Sequence, residues 1–307
     1  MNALVTGGAG FIGSNLVRLL LDRGHQVTVL DNLSSGHQVN SKGLPIRFVE
    51  GDVRDPAAVA KAIDGSDAVF HLAASVGNTR SINHPVEDSE INVIGTLRIL
   101  EAARAAKVRK VVFSSSAGIF GELKTMPIYE DHPVEPDSPY GASKLCAEKL
   151  CLAYSKLHGL ETMCLRYFNV YGVNQRYDAY GNVIPIFAHR LFAGEPLVIF
   201  GDGEQTRDLV NVRDVAEANY RASQISGAWG AFNVASGTRV TINHLASLMR
   251  EVTGIPAKIE HGPPRPGDVR HSLASVQKAR DTFGYDPKVP LREGLVEYLS
   301  WAKQAGV

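Results

Sequence analysis

The stretch ALVTGGAGFIGSNLVRLLLDRG, at positions 3–24, decides the fold class of this chain. A short apolar run comes first, a glycine-rich turn follows, and then Leu16, Leu19 and Leu20 recur with the 3.6-residue period of a helix. Gly24 stands where such a helix is expected to end. The stretch therefore predicts a β-strand, a tight turn and an α-helix in immediate succession.

The same alternation of β-rich and helical runs continues along the chain. Further strands are predicted at 26–30, 47–49, 68–71, 111–114 and 162–166, and long helices near 88–107 and 141–158. Such alternation is typical of parallel βαβ units, so we expect an α/β fold with a doubly wound parallel (Rossmann) sheet. We expect this domain to span 1–168 and to be rejoined by a strand near 232–236, with a smaller C-terminal lobe over 169–307.

Composition excludes several classes of protein. Lys plus Arg number 32 and Asp plus Glu also number 32 in 307 residues, without a basic run, so nucleic acid is not an expected partner. The start of the chain lacks the regions of a signal peptide, and no apolar run is long enough to span a membrane, so we expect a cytoplasmic protein. Cys146, Cys151 and Cys164 lack metal-ligand spacing, so no metal site is expected.

The glycine-rich turn is the first candidate binding site. Gly7, Gly10 and Gly13 permit a tight turn and close backbone approach, and the helix that follows presents free N–H groups to a pyrophosphate. Asp31 ends the second predicted strand, where a carboxylate accepts hydrogen bonds from the adenine ribose and repels an added 2′-phosphate. The expected cofactor is therefore NAD rather than NADP. Asp52 is placed to contact the adenine, although a solvated loop carboxylate explains it equally well.

Three further residues form a candidate catalytic set. Tyr140 and Lys144 are one helical turn apart, and a nearby ammonium and an oxidised nicotinamide together favour the phenolate that a base requires. Ser116 follows the predicted strand 111–114, where its hydroxyl can bond a reacting sugar hydroxyl. Each feature alone also fits an ordinary helix or turn. Their joint occurrence with the glycine turn and Asp31 indicates catalysis.

Segments along nearly the whole chain resemble the extended short-chain dehydrogenase/reductase family, in its nucleotide-sugar epimerase/dehydratase branch. They are Gly7 to Gly13, Asp31 to Gly36, Gly51 to Asp55, HLAA at 71–74, Asn92, Ser114 to Gly121, YGASK at 140–144, LRYFN at 165–169 and GDGEQTRD at 201–208.

The resemblance implies a full set of site residues. The catalytic residues would be Ser116, Tyr140 and Lys144. The residues along NAD would be Gly7, Gly10, Phe11, Ile12, Asp31, Asn32, Ser35, Gly36, Asp52, Val53, Leu72, Ala73, Ala74, Asn92, Ser114, Tyr140, Lys144 and Tyr167. The residues around a UDP-sugar would be Ser116, Asn169, Asn182, Val183, Arg207, Arg265, Asp268 and Ser272. A homodimer built from the helices near 88–107 and 141–158 is also implied.

The residues after Ser116 bear on the reaction. The family's 4,6-dehydratases carry an Asp-Glu pair there and its decarboxylases a glutamate, whereas this chain has Ala117 and Gly118. Without that proton-transfer group, the resemblance implies a UDP-hexose 4-epimerase acting through a 4-keto intermediate. A nucleotide-sugar dehydrogenase shares every catalytic residue, and a non-catalytic dinucleotide-binding scaffold shares the fold, so both remain alternatives. Phe120 replaces the family's usual tyrosine, which affects a secondary hydrogen bond only.

Two residues bear on the choice of sugar. Ser272 falls where related 4-epimerases bound the C2 side of the sugar, and its small size implies turnover of UDP-N-acetylglucosamine and UDP-N-acetylgalactosamine as well as UDP-glucose and UDP-galactose. Arg176 follows Asn174 and Gln175 on a loop, where it would favour UDP-glucuronate if it paired with the C6 carboxylate. A solvent-facing arginine is the simpler interpretation of that residue.

Overall fold

Strands and helices alternate along the chain in the computed structural model, which describes residues 1–178, 181–264 and 269–306. The strands are β1 (Asn2–Thr6), β2 (Gln26–Asp31), β3 (Arg47–Glu50), β4 (Ala68–His71), β5 (Lys110–Ser116), β6 (Glu161–Tyr167), β7 (Asn169–Tyr171), β8 (Leu197–Phe200), β9 (Thr206–Arg207), β10 (Leu209–Asn211), β11 (Gly230–Val234), β12 (Val240–Thr241) and β13 (Ile259–Gly262). The α-helices are α1 (Phe11–Asp22), α2 (Pro56–Ile63), α3 (Asn78–Asn83), α4 (Pro85–Ser89), α5 (Gly95–Ala105), α6 (Pro139–His158), α7 (Val183–Ala193), α8 (Val212–Gln224), α9 (Ile242–Thr253), α10 (Gln277–Phe283) and α11 (Leu291–Ala305).

The main sheet has seven parallel strands in the order β11-β6-β5-β4-β1-β2-β3. Apolar side chains of α1, α8 and α10 cover one face, and those of α2, α5 and α6 cover the other. Strands covered on both faces contain near-continuous apolar runs, which is why the β-rich runs of the sequence show little alternation. The predicted doubly wound α/β sheet is confirmed.

The strand order reverses between β1 and β4, because the chain leaves β3 at one edge and returns on the other side of β1. Ligands of such sheets bind in the crevice that this reversal opens at the carboxyl ends of the strands. A third apolar cluster, formed by α7, α9, α11, β8 and β10, lies in the part of the chain after β6. β11 returns to pair with β6. The division into domains at 168 stays a prediction.

The helix expected near 88–107 differs from the prediction in detail. The chain is α-helical in α4, widens to a π-helix over Glu90–Ile94, and resumes as α5, which ends at Ala105. A π segment inserts an extra residue per turn and rotates the side chains that follow, which a 3.6-residue pattern cannot indicate. The other long helix, α6, contains the predicted range 141–158. Among the described helices, none combines the length and apolar character needed to cross a membrane.

Candidate active site

The glycine turn holds β1, β4 and α1 at close approach. A Cβ on Gly7, whose φ is 69°, would lie 2.7 Å from the Ala73 nitrogen, and one on Gly13 would lie 2.1 Å from the Gly7 oxygen. Both positions therefore require glycine. Gly10 is the N-cap of α1, and no side chain caps the helix there. The N–H groups of the first turn are thus available to a pyrophosphate.

Asp31 is buried at the end of β2 with both carboxylate oxygens in hydrogen bonds. One oxygen accepts the Ala9 N–H at 2.9 Å and the other accepts the Leu33 N–H at 2.8 Å. These bonds tie the glycine turn to the loop that contains Ser35 and Gly36. Each oxygen keeps a second acceptor site, which the predicted contacts to ribose hydroxyls would use.

Asp52 is part of an ion pair rather than a solvated carboxylate. Arg54 donates to it from Nε at 2.9 Å and from Nη2 at 2.8 Å, and Asn32 donates from Nδ2 at 2.9 Å. The hydrogen bond from Arg54 is the main reason that the pKa of Asp52 falls to about 2. The neighbouring Val53 packs against Gly95, where a Cβ would lie 2.7 Å from the valine Cγ2.

A buried hydrogen-bonded chain lies behind the crevice. The Thr96 hydroxyl donates to the Asn92 carbonyl at 2.6 Å, so the 3.0 Å bond between His71 and Thr96 runs from His71 Nε2–H. His71 Nδ1 then accepts from the Thr6 hydroxyl at 2.7 Å. Burial lowers the pKa of His71 to about 3, with a smaller effect from Lys144. The imidazole is therefore neutral and links β1, β4 and α5.

The predicted NAD residues lie around this crevice as follows. Leu72, Ala73 and Ala74 follow β4 and are partly exposed, as are Phe11 and Ile12 in the first turn of α1. Asn92 lies in the π segment and is buried, as is Ser114 in β5. Asn32 and Ser35 are exposed.

Tyr140 lies beside Ser116 at the carboxyl end of β5, and Lys144 follows one helical turn later in α6. Ser138 caps α6 by accepting the Gly141 N–H at 3.1 Å. A Cβ on Gly141 would lie 2.3 Å from the Gly118 oxygen, so glycine lets the first turn of α6 approach the turn after β5. This approach places the Tyr140 ring beside the Ser116 hydroxyl, since a Cβ on Gly118 would lie 3.5 Å from Tyr140 Cε1 and 3.4 Å from Ser116 Oγ.

Burial is the main cause of the pKa shifts of Tyr140 and Lys144. Desolvation raises the pKa of Tyr140, and the hydrogen bond from Ser116 opposes that rise. Burial lowers the pKa of Lys144 to about 8, and the ammonium lies 4.5 Å from the centre of the Phe113 ring. Lys144 is therefore protonated near neutral pH. Ser116 Oγ accepts the Gly118 N–H at 3.1 Å, which leaves its own hydrogen free to be donated to Tyr140.

Tyr167 and Phe120 support the site from the core. The Tyr167 hydroxyl donates to Asn219 Oδ1 on α8 at 2.9 Å, so its polar end points away from the crevice, while its backbone pairs with Ser116. Phe120 is fully buried, with its ring centre 6.2 Å from that of Phe168 and the Arg166 guanidinium 5.1 Å from its own ring centre. A hydroxyl at position 120 would enter an aromatic cluster.

The described part of the predicted substrate site is placed by β7, α7 and β9. Asn169 donates to the Asp208 carbonyl at 3.2 Å, and Arg207 donates to the Val269 carbonyl at 2.6 Å. Asn182 is the N-cap of α7 and makes no side-chain capping bond, with Val183 next to it. Ser272 is buried. Arg265 and Asp268 lie outside the described residues.

Arg176 lies near the glycine turn. Its guanidinium carbon is 6.0 Å from the centre of the Trp301 ring, and its charge contributes to lowering the pKa of His37, mainly a burial effect. His37 in turn donates its backbone N–H to the Ala9 carbonyl at 3.0 Å. These contacts place Arg176 on the side of the crevice where α1 begins.

Two residues beside the predicted catalytic residues, Ser143 and Asp88, are not indicated by the sequence. Ser143 lies between Tyr140 and Lys144 in the first turns of α6, and its hydroxyl donates to the buried Asp88 at 2.5 Å. Asn92 donates to the same hydroxyl at 3.0 Å. The signal was weak, because Asp88 precedes an irregular helix and Ser143 resembles any helical serine.

Comparison with known proteins agrees with this geometry. The NAD dependent epimerase/dehydratase family matches residues 3–235. A UDP-glucose 4-epimerase of Mycolicibacterium smegmatis is 40% identical over 307 residues, covering 98% of each chain. The structure of a Thermotoga maritima UDP-glucose 4-epimerase with UDP-glucose is 38% identical, with a TM-score of 0.94 over 100% of both chains. The structure of a UDP-N-acetylglucosamine 4-epimerase of Methanobrevibacter ruminantium in complex with UDP-N-acetylmuramic acid is 36% identical, with a TM-score of 0.95 over 99% of this chain and 98% of that one. The chain therefore belongs to the NAD-dependent epimerase/dehydratase family.

Proposed function

We propose that this chain is an NAD-dependent UDP-hexose 4-epimerase, as its relatives' activities indicate. The observation that carries the proposal is the juxtaposition of Ser116 and Tyr140, which both lie around Gly118 at the sheet edge, one helical turn from a protonated, buried Lys144. This arrangement moves one proton to and from a sugar hydroxyl. It contains what inversion of a hydroxyl-bearing carbon needs, and Ala117 and Gly118, which directly follow Ser116, supply no further acid or base.

The residues of the crevice fit a dinucleotide. Uncapped N–H groups at the start of α1 suit the pyrophosphate, and the second acceptor sites of Asp31 suit the ribose hydroxyls. The carboxylate disfavours an added phosphate, which supports NAD over NADP. NAD, when bound, supplies the hydride acceptor and donor at C4.

The chain's own residues handle the proton. Tyr140 accepts the hydrogen of the 4-hydroxyl, directly or through Ser116, whose oxygen is held by the Gly118 N–H. Lys144 stabilises the phenolate by its charge. The resulting 4-keto sugar turns about its diphosphate linkage, and Tyr140 returns the proton to the 4-oxygen. C4 is inverted with no net oxidation of the sugar.

A 4,6-dehydratase is the main competing function, since the family includes that reaction. Water elimination needs a carboxyl group beside the tyrosine and serine. A Cβ on Gly118 would lie 3.4 Å from Ser116 Oγ and 3.5 Å from Tyr140 Cε1, so a side chain at this position would reach both groups. Glycine leaves that place without an acid, which favours the epimerase.

The preferred sugar is tested by incubating the protein with UDP-glucose, UDP-N-acetylglucosamine and UDP-glucuronate and separating the C4 epimers. We expect turnover of the first two, because Ser272 leaves room for an N-acetyl group. Ser272→Tyr should lower turnover of the N-acetylated sugar by roughly tenfold or more relative to UDP-glucose. Failure of the N-acetylated sugar with the unaltered protein would show that Ser272 does not set specificity. Turnover of UDP-glucuronate alone would assign the sugar contact to Arg176.

We further propose a homodimer with α5 and α6 at its interface. Leu157 on α6 is 76% exposed and Ile94, just before α5, is 44% exposed, and an interface built from these helices would cover both. Small-angle scattering should give twice the mass of one chain, and a monomeric mass would exclude the dimer. A cytoplasmic location fits the free thiols of Cys146, Cys151 and Cys164.

A further inference from the structure

Asp88 is a buried carboxylate that contacts α6, the helix of Tyr140 and Lys144. Asp88, at the end of α4, is 1% exposed, and its Oδ2 accepts the Ser143 hydroxyl at 2.5 Å. Its other oxygen has no hydrogen-bond partner among the described residues. Because water is excluded here, this carboxyl group interacts with nearby ionisable groups more strongly than an exposed one would.

The hydroxyl that donates to Asp88 lies in the first turns of α6, between Tyr140 and Lys144. Ser143 lies immediately before Lys144, and its Oγ also lies 3.0 Å from the Tyr140 carbonyl. Asn92 donates to the same Oγ at 3.0 Å and fixes the Ser75 backbone through bonds of 2.9 and 3.0 Å. The π-helical turn that displaces Asn92 thus connects the loop after β4 with Ser143 and Asp88.

Asp88 differs from the other groups that face Lys144. Those groups are Glu148 and Cys151 on α6, Cys164 on β6 and His71 on β4. The charged and titratable side chains around α3 and α4, which are Arg80, His84, Glu87 and Glu90, are exposed. Glu148 is paired with the Arg166 guanidinium at 2.7 Å, which offsets its charge. Burial raises the pKa of the Cys164 thiol far above its usual value, and His71 is neutral.

We propose that Asp88 is a positioning residue of the proposed epimerase, which acts through Ser143 and supplies the negative charge that balances the buried Lys144 ammonium. The expected change in the pH profile of kcat/KM rests on the proposed function. The expected change in the pKa of Tyr140 does not. Asp88 opposes the desolvation that lowers the pKa of Lys144, and it adds to the desolvation that raises the pKa of Tyr140.

Removing the Asp88 carboxylate should lower the pKa of Lys144 and the pKa of Tyr140. Without the carboxylate, Lys144 loses its proton at lower pH and Tyr140 becomes a phenolate at lower pH. Activity requires deprotonated Tyr140 together with protonated Lys144, so the pKa values of these two groups bound the two limbs of the pH profile. Both limbs therefore move toward acid together. A residue that only supports the fold would lower the profile without moving its limbs.

The test is the pH profile of kcat/KM for the NAD-loaded Asp88→Asn protein, which keeps the size of the side chain. We expect both limbs to move to lower pH, so that the ratio of rates below and above the optimum rises roughly tenfold. The matched control is Glu87→Gln, which removes an exposed carboxylate from the same helix and should leave the profile in place. Unmoved limbs in Asp88→Asn would overturn the proposal.

A second measurement separates this proposal from the proposed function. Ultraviolet difference titration of each protein against its Tyr140→Phe counterpart follows the phenolate without any substrate. Asp88→Asn should lower the pH at which the Tyr140 phenolate forms, even if no UDP-sugar is turned over. If Asp88→Asn does not fold, Ser143→Ala should show the same direction, because it removes the hydroxyl that holds Asp88 against the turn of Tyr140 and Lys144. An unchanged titration in the folded variant overturns the proposal.

Discussion

Tyr140→Phe is expected to reduce UDP-sugar epimerisation by about a thousandfold, within the range that a general acid-base group contributes. The substitution removes only the phenolic oxygen that bonds Ser116 and leaves the half-buried ring in place. Binding of NAD and of the UDP-sugar should therefore be close to that of the unaltered protein. Turnover by purified protein and dinucleotide content after denaturation are the two measurements.

Tyr129→Phe is the matched control for this variant. Tyr129 is 51% exposed in the loop before α6, so the same chemical change there should leave turnover unchanged. Activity of Tyr140→Phe within tenfold of the control would contradict the role of Tyr140 as the base. Loss of bound dinucleotide would indicate that the phenol holds the cofactor as well.

Glu148→Ala is expected to lower the free energy of unfolding by about 3 to 5 kcal/mol. Glu148 accepts from Arg166 at 2.7 and 3.0 Å and from the Ser115 hydroxyl at 2.6 Å, so it joins α6 to β5 and β6 one turn below Lys144. Both members of the ion pair are buried. Removing one carboxylate leaves the Arg166 charge buried without its partner, which urea unfolding measures directly.

Two comparisons identify the cause of that loss. Glu260→Ala breaks an ion pair whose side chains are 75% and 42% exposed, and it should change stability far less than Glu148→Ala does. Replacing both buried partners, as Glu148→Met with Arg166→Met, should destabilise the protein less than Glu148→Ala alone. A double variant as unstable as Glu148→Ala would show that lost packing, rather than the uncompensated charge, dominates.

The regular elements were predictable from the sequence because their signals are local. The apolar runs of β1 to β6 and the helical period of α6 follow from residues that are neighbours along the chain. The proposed catalytic residues could be predicted for the same reason: Ser116 ends a strand, and Tyr140 and Lys144 share one helical turn.

What the sequence could not indicate depends on contacts between distant segments. The bond from Ser143 to Asp88 and that from Tyr167 to Asn219 join residues on different elements, and no periodic pattern encodes them. The π-helical turn at Glu90–Ile94 departs from the 3.6-residue period, which is the pattern by which a helix is recognised in a sequence. The pair formed by Asp52 and Arg54 is an exception, since two opposite charges so near in sequence could have been recognised.

The most direct test of the central claim is the fate of the hydrogen on C4 when the enzyme epimerises UDP-glucose in deuterium oxide. If Tyr140 moves only the hydroxyl proton and the C4 hydride is returned to the same sugar, the UDP-galactose formed retains its original hydrogen at C4. Proton NMR and mass spectrometry should then show no deuterium at that carbon. The absorbance of the solution should show no accumulated NADH. Deuterium at C4 of the product would contradict the account, because the C4 hydrogen would have exchanged with solvent.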